Sequence, residues 1–442
     1  MEFEWNNPCA FCGKEHTARV EKVLSGKGVL SALPELLREK GVSKPFLLSD
    51  ENTHKAAGEK VADLLSKENF TFTQWILKGE HIEPNEQAMG SVLLHYDASC
   101  DGVVAIGSGV IGDLAKILAN STRLPLFTVA TAPSMDGFAS ETSSMVRDGL
   151  KVSIPSRCPC VIIGDTDILK RAPMRMLRAG LGDMLAKYIS ICEWRIGSLV
   201  TGEYYCEEIA ELVRRALKKC IDNADGLLKR EDGAVEAVFE GLVLGGLAMA
   251  YAGVSRPASG VEHYISHVWE MAALSRGETA DLHGLQCAVG TRIAAKLYAR
   301  LLSVKPDREL ALRHAKQFDY ERKARQMRTF LGNGAETMIA LEKKEGKYRT
   351  VPHLERLEII LSHWDEIRSI IREEIPSPET VDALFRKIDM PALPSQVGAS
   401  DSDTPAAFLF TGDIRDKYVL SRLLWDLGLE EEFAQTIMED MK

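Results

Sequence analysis

The apolar run GVVAIG at residues 102–107 leads directly into Gly107-Ser108-Gly109-Val110-Ile111-Gly112 and then a helical stretch over 113–119. Strand, glycine turn and helix in this order form a G-x-G-x-x-G arrangement. Its backbone N–H groups can approach a pyrophosphate, whose charge the helix N-terminus favours. A glycine turn that only packs a helix on a sheet has the same pattern, so the strand-turn-helix context carries the phosphate reading. Short apolar runs at 45–49, 126–131 and 160–164, alternating with helical stretches such as 52–65, predict a parallel α/β sheet that binds ligands beyond its strands' carboxyl ends.

From about Pro173 the texture changes to apolar residues spaced by three and four, which predicts helices over 182–196, 207–228, 234–252, 260–273, 285–302 and 353–374. Residues 391–405, rich in Ser, Asp, Ala and Pro, read as an exposed loop, and the charged stretch 320–374 as packing or a partner face. The expected organisation is a Rossmann-like, dinucleotide-binding α/β domain over 1–173 and an all-α, metal- and substrate-binding domain over 174–442. The active site is expected in the cleft between them.

Charge narrows the partners. The 54 Lys and Arg against 64 Asp and Glu leave a net −10, which disfavours nucleic acid and anionic membrane surfaces. The start MEFEWNNPCAFCGKEH lacks an apolar core, and the longest apolar run, 238–254, falls short of the roughly 20 residues a membrane helix needs. A cytoplasmic protein whose nine cysteines are thiols is therefore expected. Cys9, Cys12 and His16 look like half a zinc site, but no second ligand pair follows at finger spacing.

Ten histidines are present, and three fall close together: His263 and His267 in SGVEHYISH and His283 in LHG. His263 and His267 share a helix face. Asp183, read as opening a helix after Gly182, adds a carboxylate, and two imidazoles with one carboxylate leave a catalytic metal an open position. A solvated histidine pair with Asp183 as an N-cap is the alternative. Two acids compete for a nucleotide ribose: Asp136, downstream of the glycine turn, and Asp50, better placed at a strand end but upstream of it. Asp50 also suits a helix cap.

GSGVIGD at 107–113, TAPSMDGFAS at 131–140, GLGDMLAK at 180–187, SGVEHYISH at 259–267 and LHG at 282–284 together resemble the superfamily of glycerol dehydrogenases, iron-type alcohol dehydrogenases and dehydroquinate synthases. Within it the chain is most similar to the sn-glycerol-1-phosphate dehydrogenases, particularly the bacterial AraM type. The likeness runs nearly the whole length. It implies that Asp50 holds the adenosine ribose, that Gly107, Ser108, Gly109, Val110 and Ile111 cradle the pyrophosphate, and that Thr131, Ser134 and Ser140 line the nicotinamide side. It further implies Asp183, His263 and His283 as metal ligands, with Asp136, Asp183 and His267 meeting substrate and serving catalysis. Ser108 departs from the glycine usual in glycerol dehydrogenases.

The implied activity is NAD(H)- or NADP(H)-dependent reduction of dihydroxyacetone phosphate to sn-glycerol 1-phosphate for phospholipid synthesis, with one nickel or zinc ion, in a homodimer. Glycerol or alcohol oxidation, a synthase-like cyclisation and a non-catalytic metal or nucleotide binder are the alternatives. Lys187 and Arg256 are the candidate clamps for the substrate phosphate.

Overall fold

The computed structural model describes residues 8–441 except 80 and 149. Its Cα packing divides the chain into two compact units, Met1–Met184 with Glu211–Val254, and Leu185–Ala210 with Ser255–Lys442.

The first unit is built on six parallel strands: β1 (Lys22–Gly26), β2 (Pro45–Asp50), β3 (Thr73–Leu77), β4 (Gly102–Gly107), β5 (Leu126–Ala130) and, after an antiparallel hairpin of β6 (Thr142–Arg147) and β7 (Leu150–Pro155), β8 (Val161–Asp165). Their order is β1-β8-β5-β4-β2-β3, the doubly wound pattern with its crossover beside β4. Strands β4, β5 and β8 are buried along their whole length, which is why they read as apolar runs. β1 and β3 lie at the sheet edges with only one buried position each, so they did not read as apolar runs.

Seven helices carry the argument: α1 (Gly109–Thr122), α2 (Met174–Leu185), α3 (Lys187–Thr201), α4 (Glu207–Asp222), α5 (Asp232–Ala252), α6 (Val261–Ser275) and α7 (His283–Leu301). The packing differs from a single break at 173, because most of α2 and the 211–254 segment join the sheet's unit. Gly164 at the end of β8 makes this possible, since a Cβ there would lie 2.1 Å from the Phe239 ring of α5. α5 also corrects the reading of the apolar run. It is 21 residues long and apolar enough to cross a membrane, but 67% of its most apolar window is buried, so burial accounts for its composition.

In the second unit, α6 and α7 pack together, and α6 also lies against the helix Thr404–Ile414. Residues 391–405 are not exposed throughout: Pro394 and Val397 are buried, and Val397 O accepts a hydrogen bond from Gln286 Nε2 at 3.2 Å. The charged stretch 320–374 forms four helices, broken at His363 where one long helix was expected. Its buried Lys323 pairs with Asp413 at 2.9 Å, and Arg356 grips Asp426 with two bonds of 2.7 and 2.8 Å, so these charges serve packing.

Candidate active site

The glycine turn sits where β4 meets α1. Gly107 ends the strand against the first turn of the helix, and a Cβ on it would lie 2.5 Å from Ile111 Cβ. Gly112 faces open space, so the third glycine of the motif is not sterically required. Ser108 is the residue before α1, and its Oγ shares a buried 2.7 Å hydrogen bond with Ser134 Oγ. Thr131 N donates to Gly107 O at 3.1 Å. Turn and 131–136 loop are thus one hydrogen-bonded piece. Lys116, buried and paired with Asp113 at 2.9 Å, donates to Gly137 O and Thr142 O, extending this piece past Ser140, whose Oγ bonds Thr142.

Asp50 ends β2 and caps the helix after it. Its Oδ1 accepts from Thr53 N at 2.7 Å and its N donates to Thr53 Oγ1 at 2.9 Å. The cap reading holds, and it occupies one carboxylate oxygen.

Asp183 lies near the end of α2 and does not open a helix, because the helix starts at Met174, just after Pro173, and takes in the glycines that looked like a break. It is fully buried, and its Oδ2 accepts from Asp136 N at 2.9 Å. A carboxylate there faces the negative end of the helix dipole, a position that favours a nearby cation. Two glycines let the helices close on the Asp136 loop: a Cβ at Gly180 would lie 1.9 Å from Pro133 O, and one at Gly246 2.9 Å from Asp136 O.

In the second unit the three histidines converge. Ring centroids of His263 and His283 lie 5.2 Å apart, those of His267 and His283 5.2 Å, and those of His263 and His267 6.4 Å. Each ring is oriented through Nδ1 by a carboxylate: His263 donates to Glu262 Oε1 at 2.8 Å, His267 to Glu270 Oε2 at 3.0 Å and His283 to Glu270 Oε1 at 3.1 Å. The Nε2 atoms then face the interior of the cluster, where His283 Nε2 lies 3.4 Å from Cys287 Sγ and a bound metal would take the place of a proton. His263, His283 and Cys287 present ligand atoms within 4.8 Å of one another, as do His267, Glu270 and His283.

Charges in the cluster are strongly coupled. His283 is held up at about 10: burial opposes its charge, but Cys287 and Glu270 outweigh it. Burial pushes the Cys287 thiol up, yet His263 and His283 more than reverse this and hold it low. Upstream, Glu193 accepts from Val261 N, the first N–H of α6, at 2.9 Å, and from Leu420 N at 2.8 Å and Tyr298 Oη at 3.0 Å. Sequence reasoning missed Glu193, Glu262, Glu270 and Cys287. The signal for Glu270 was its place three residues after His267 on one helix face.

The two proposed phosphate clamps are engaged elsewhere. Arg256 is buried, with its guanidinium bonded to both oxygens of Glu203 and to Tyr418 O at 2.9 Å. Lys187 opens α3, on a different helix from Asp183, and its buried Nζ donates to Ala258 O at 3.1 Å.

Known proteins resemble this chain over much of its length. Residues 24–173 match the family described as iron-containing alcohol dehydrogenases. A glycerol-1-phosphate dehydrogenase [NAD(P)+] of Halalkalibacterium halodurans is 34% identical over 291 residues, covering 65% of this chain and 73% of that protein. The chain belongs to the glycerol-1-phosphate dehydrogenase family. A second member, from Geobacillus thermodenitrificans, is 28% identical over 382 residues, 86% of this chain and 85% of its own. Beyond the family, solved structures share the fold. A glycerol dehydrogenase from Schizosaccharomyces pombe aligns at TM-score 0.60 and 17% identity over 96% of this chain and 93% of its own. A maleylacetate reductase from Rhizobium aligns at 0.62 and 14% over 96% and 98%.

Proposed function

We propose that this chain is a metal-dependent NAD(P) dehydrogenase that interconverts dihydroxyacetone phosphate and sn-glycerol 1-phosphate. The observation that carries the reading is the set of imidazoles on α6 and α7, each held through Nδ1 by a carboxylate, with His263, His283 and Cys287 presenting ligand atoms within 4.8 Å of one another. This donor set suits a borderline divalent ion such as nickel or zinc, and the family likeness favours nickel. Asp183, His263 and His283 would hold it. When bound, the metal supplies a Lewis acid for the C2 oxygen and the reduced nicotinamide supplies the hydride.

The chain's own residues do the rest. The N–H groups at Gly109, Val110 and Ile111 receive the pyrophosphate at the start of α1. Asp50, with one oxygen on its cap, offers the other to ribose hydroxyls. Thr131, Ser134 and Ser140 line the nicotinamide side. Asp136 hydrogen-bonds a substrate hydroxyl, and Asp183 meets substrate as well as metal. His267 exchanges the proton at the C2 oxygen through Nε2 while its Nδ1–H stays on Glu270, which keeps one tautomer in place. Both NAD(H) and NADP(H) are within this reading, as are a homodimer and a cytoplasmic setting.

The test is purified protein loaded with nickel or zinc and given reduced nicotinamide with dihydroxyacetone phosphate or free dihydroxyacetone, or oxidised nicotinamide with glycerol, followed by nicotinamide absorbance. Oxidation of the reduced cofactor with the phosphate ester is expected. Turnover of the unphosphorylated substrates alone would overturn the reading.

A further inference from the structure

Residues 8–16 run PCAFCGKEH, and the structure folds them into a compact knuckle. Gly13 N donates to Cys9 O at 2.8 Å and Cys9 N donates to Lys14 O at 2.9 Å. The turn requires φ of +70° at Gly13, a left-handed conformation that glycine adopts without cost. It brings the ligand atoms of Cys9, Cys12 and His16 within 4.8 Å of one another. Cys9 and His16 are each only 2% exposed.

His16 is oriented as a metal ligand would be. Its Nδ1 lies 3.1 Å from Tyr251 O in the last turn of α5, so Nδ1 carries the proton and Nε2 presents its lone pair inward. Nε2 is 3.3 Å from Cys12 Sγ. Two ligands of one tetrahedral zinc, with bonds near 2.3 Å to sulfur and 2.0 Å to nitrogen, stand about 3.5 Å apart. None of the nine cysteines is in a disulfide.

We propose that Cys9, Cys12 and His16 form a second metal site, a structural zinc site made of different residues from the histidine cluster. A fourth donor, a further thiolate or water, closes the tetrahedron. Zinc is favoured because two thiolates and one imidazole are soft, borderline donors, and binding displaces the two thiol protons to solvent. A coordinated imidazole donates its Nδ1–H more strongly, and Tyr251 O, in the last turn of α5, lies 3.1 Å from it. The site would thus fasten the N-terminal segment to the end of α5.

The test uses full-length protein with His263→Ala, which removes a ligand from the proposed catalytic site. Zinc content and the thiolate-to-cobalt charge-transfer band after cobalt exchange are read with and without Cys12→Ser. About one equivalent of zinc and a clear band are expected in the His263→Ala protein, and both should be lost when Cys12→Ser is added. If Cys12→Ser impairs folding, the unmutated cysteines give a second readout: mercurial titration of the His263→Ala protein should release zinc as two or three of its thiols react. No zinc in that protein, or a band that survives Cys12→Ser, would overturn the proposal whatever the substrate proves to be.

Discussion

Glu270 and His283 are joined by a 3.1 Å hydrogen bond between Oε1 and Nδ1, while the other oxygen of the same carboxylate holds His267. One side chain therefore sets the tautomer of a proposed metal ligand and of the proposed proton-exchange residue. Glu270→Ala should weaken metal binding about 10–100-fold, as losses of such supporting carboxylates do, measured by competition with a chelator. An unchanged metal affinity would show that α6 and α7 orient the rings without it.

The two histidines of α6 should separate cleanly. His263→Ala is expected to lose catalytic metal and activity together. His267→Ala should keep the metal and lose about 10²–10⁴-fold in kcat, the usual worth of a positioned acid or base. Metal analysis alongside kinetics reads both, and a His267→Ala protein without catalytic metal would refute the division.

Arg256→Ala should cost stability and leave substrate affinity alone. Its guanidinium is bonded to Glu203 and Tyr418 O, and leaving part of that network without its cation costs about 3 kcal/mol, the low end for breaking a buried pair, because Glu203 is partly exposed. Denaturant unfolding should show the loss, whereas a large rise in KM for the phosphate substrate would restore Arg256 as its clamp.

Glu193 gives a pH dependence of known sign. Burial, then the nearby Glu262, push its carboxyl up to about 8 from an ordinary 4.5, against the hydrogen bonds it accepts. The folded chain keeps this proton where the unfolded chain releases it, so its contribution is present below about 4.5 and lost as pH rises through about 8. Metal-free protein should show Tm falling across that window, and Glu193→Gln should flatten the fall.

At Gly180 the space itself is the constraint. A methyl group would meet a backbone oxygen at 1.9 Å, so Gly180→Ala should destabilise by about 1–3 kcal/mol and displace the Asp136 loop. Lower thermal stability with a raised KM for substrate is the expected pair of results.

The buried strands were legible because burial on both faces writes itself as unbroken apolar runs, and the edge strands β1 and β3 were not because only one position in each is buried. The histidines stood out by spacing. Glu270 and Glu193 did not, since an acid on a helix reads as a solvated charge until its partners are seen. Asp183 was singled out for its chemistry and misplaced in its helix, because Gly182 suggested a helix start where the helix runs on from Met174. Arg256 looked like a clamp because sequence shows a charge and hides the Glu203 that neutralises it.

The Ser108–Ser134 hydroxyl pair joins the turn proposed to hold the dinucleotide to the loop that carries Asp136. A dinucleotide and a triose bound as proposed would share the free energy of adjusting this joined piece, and so be thermodynamically linked. Whatever factor the dinucleotide adds to the affinity for the triose, the triose must return to the dinucleotide.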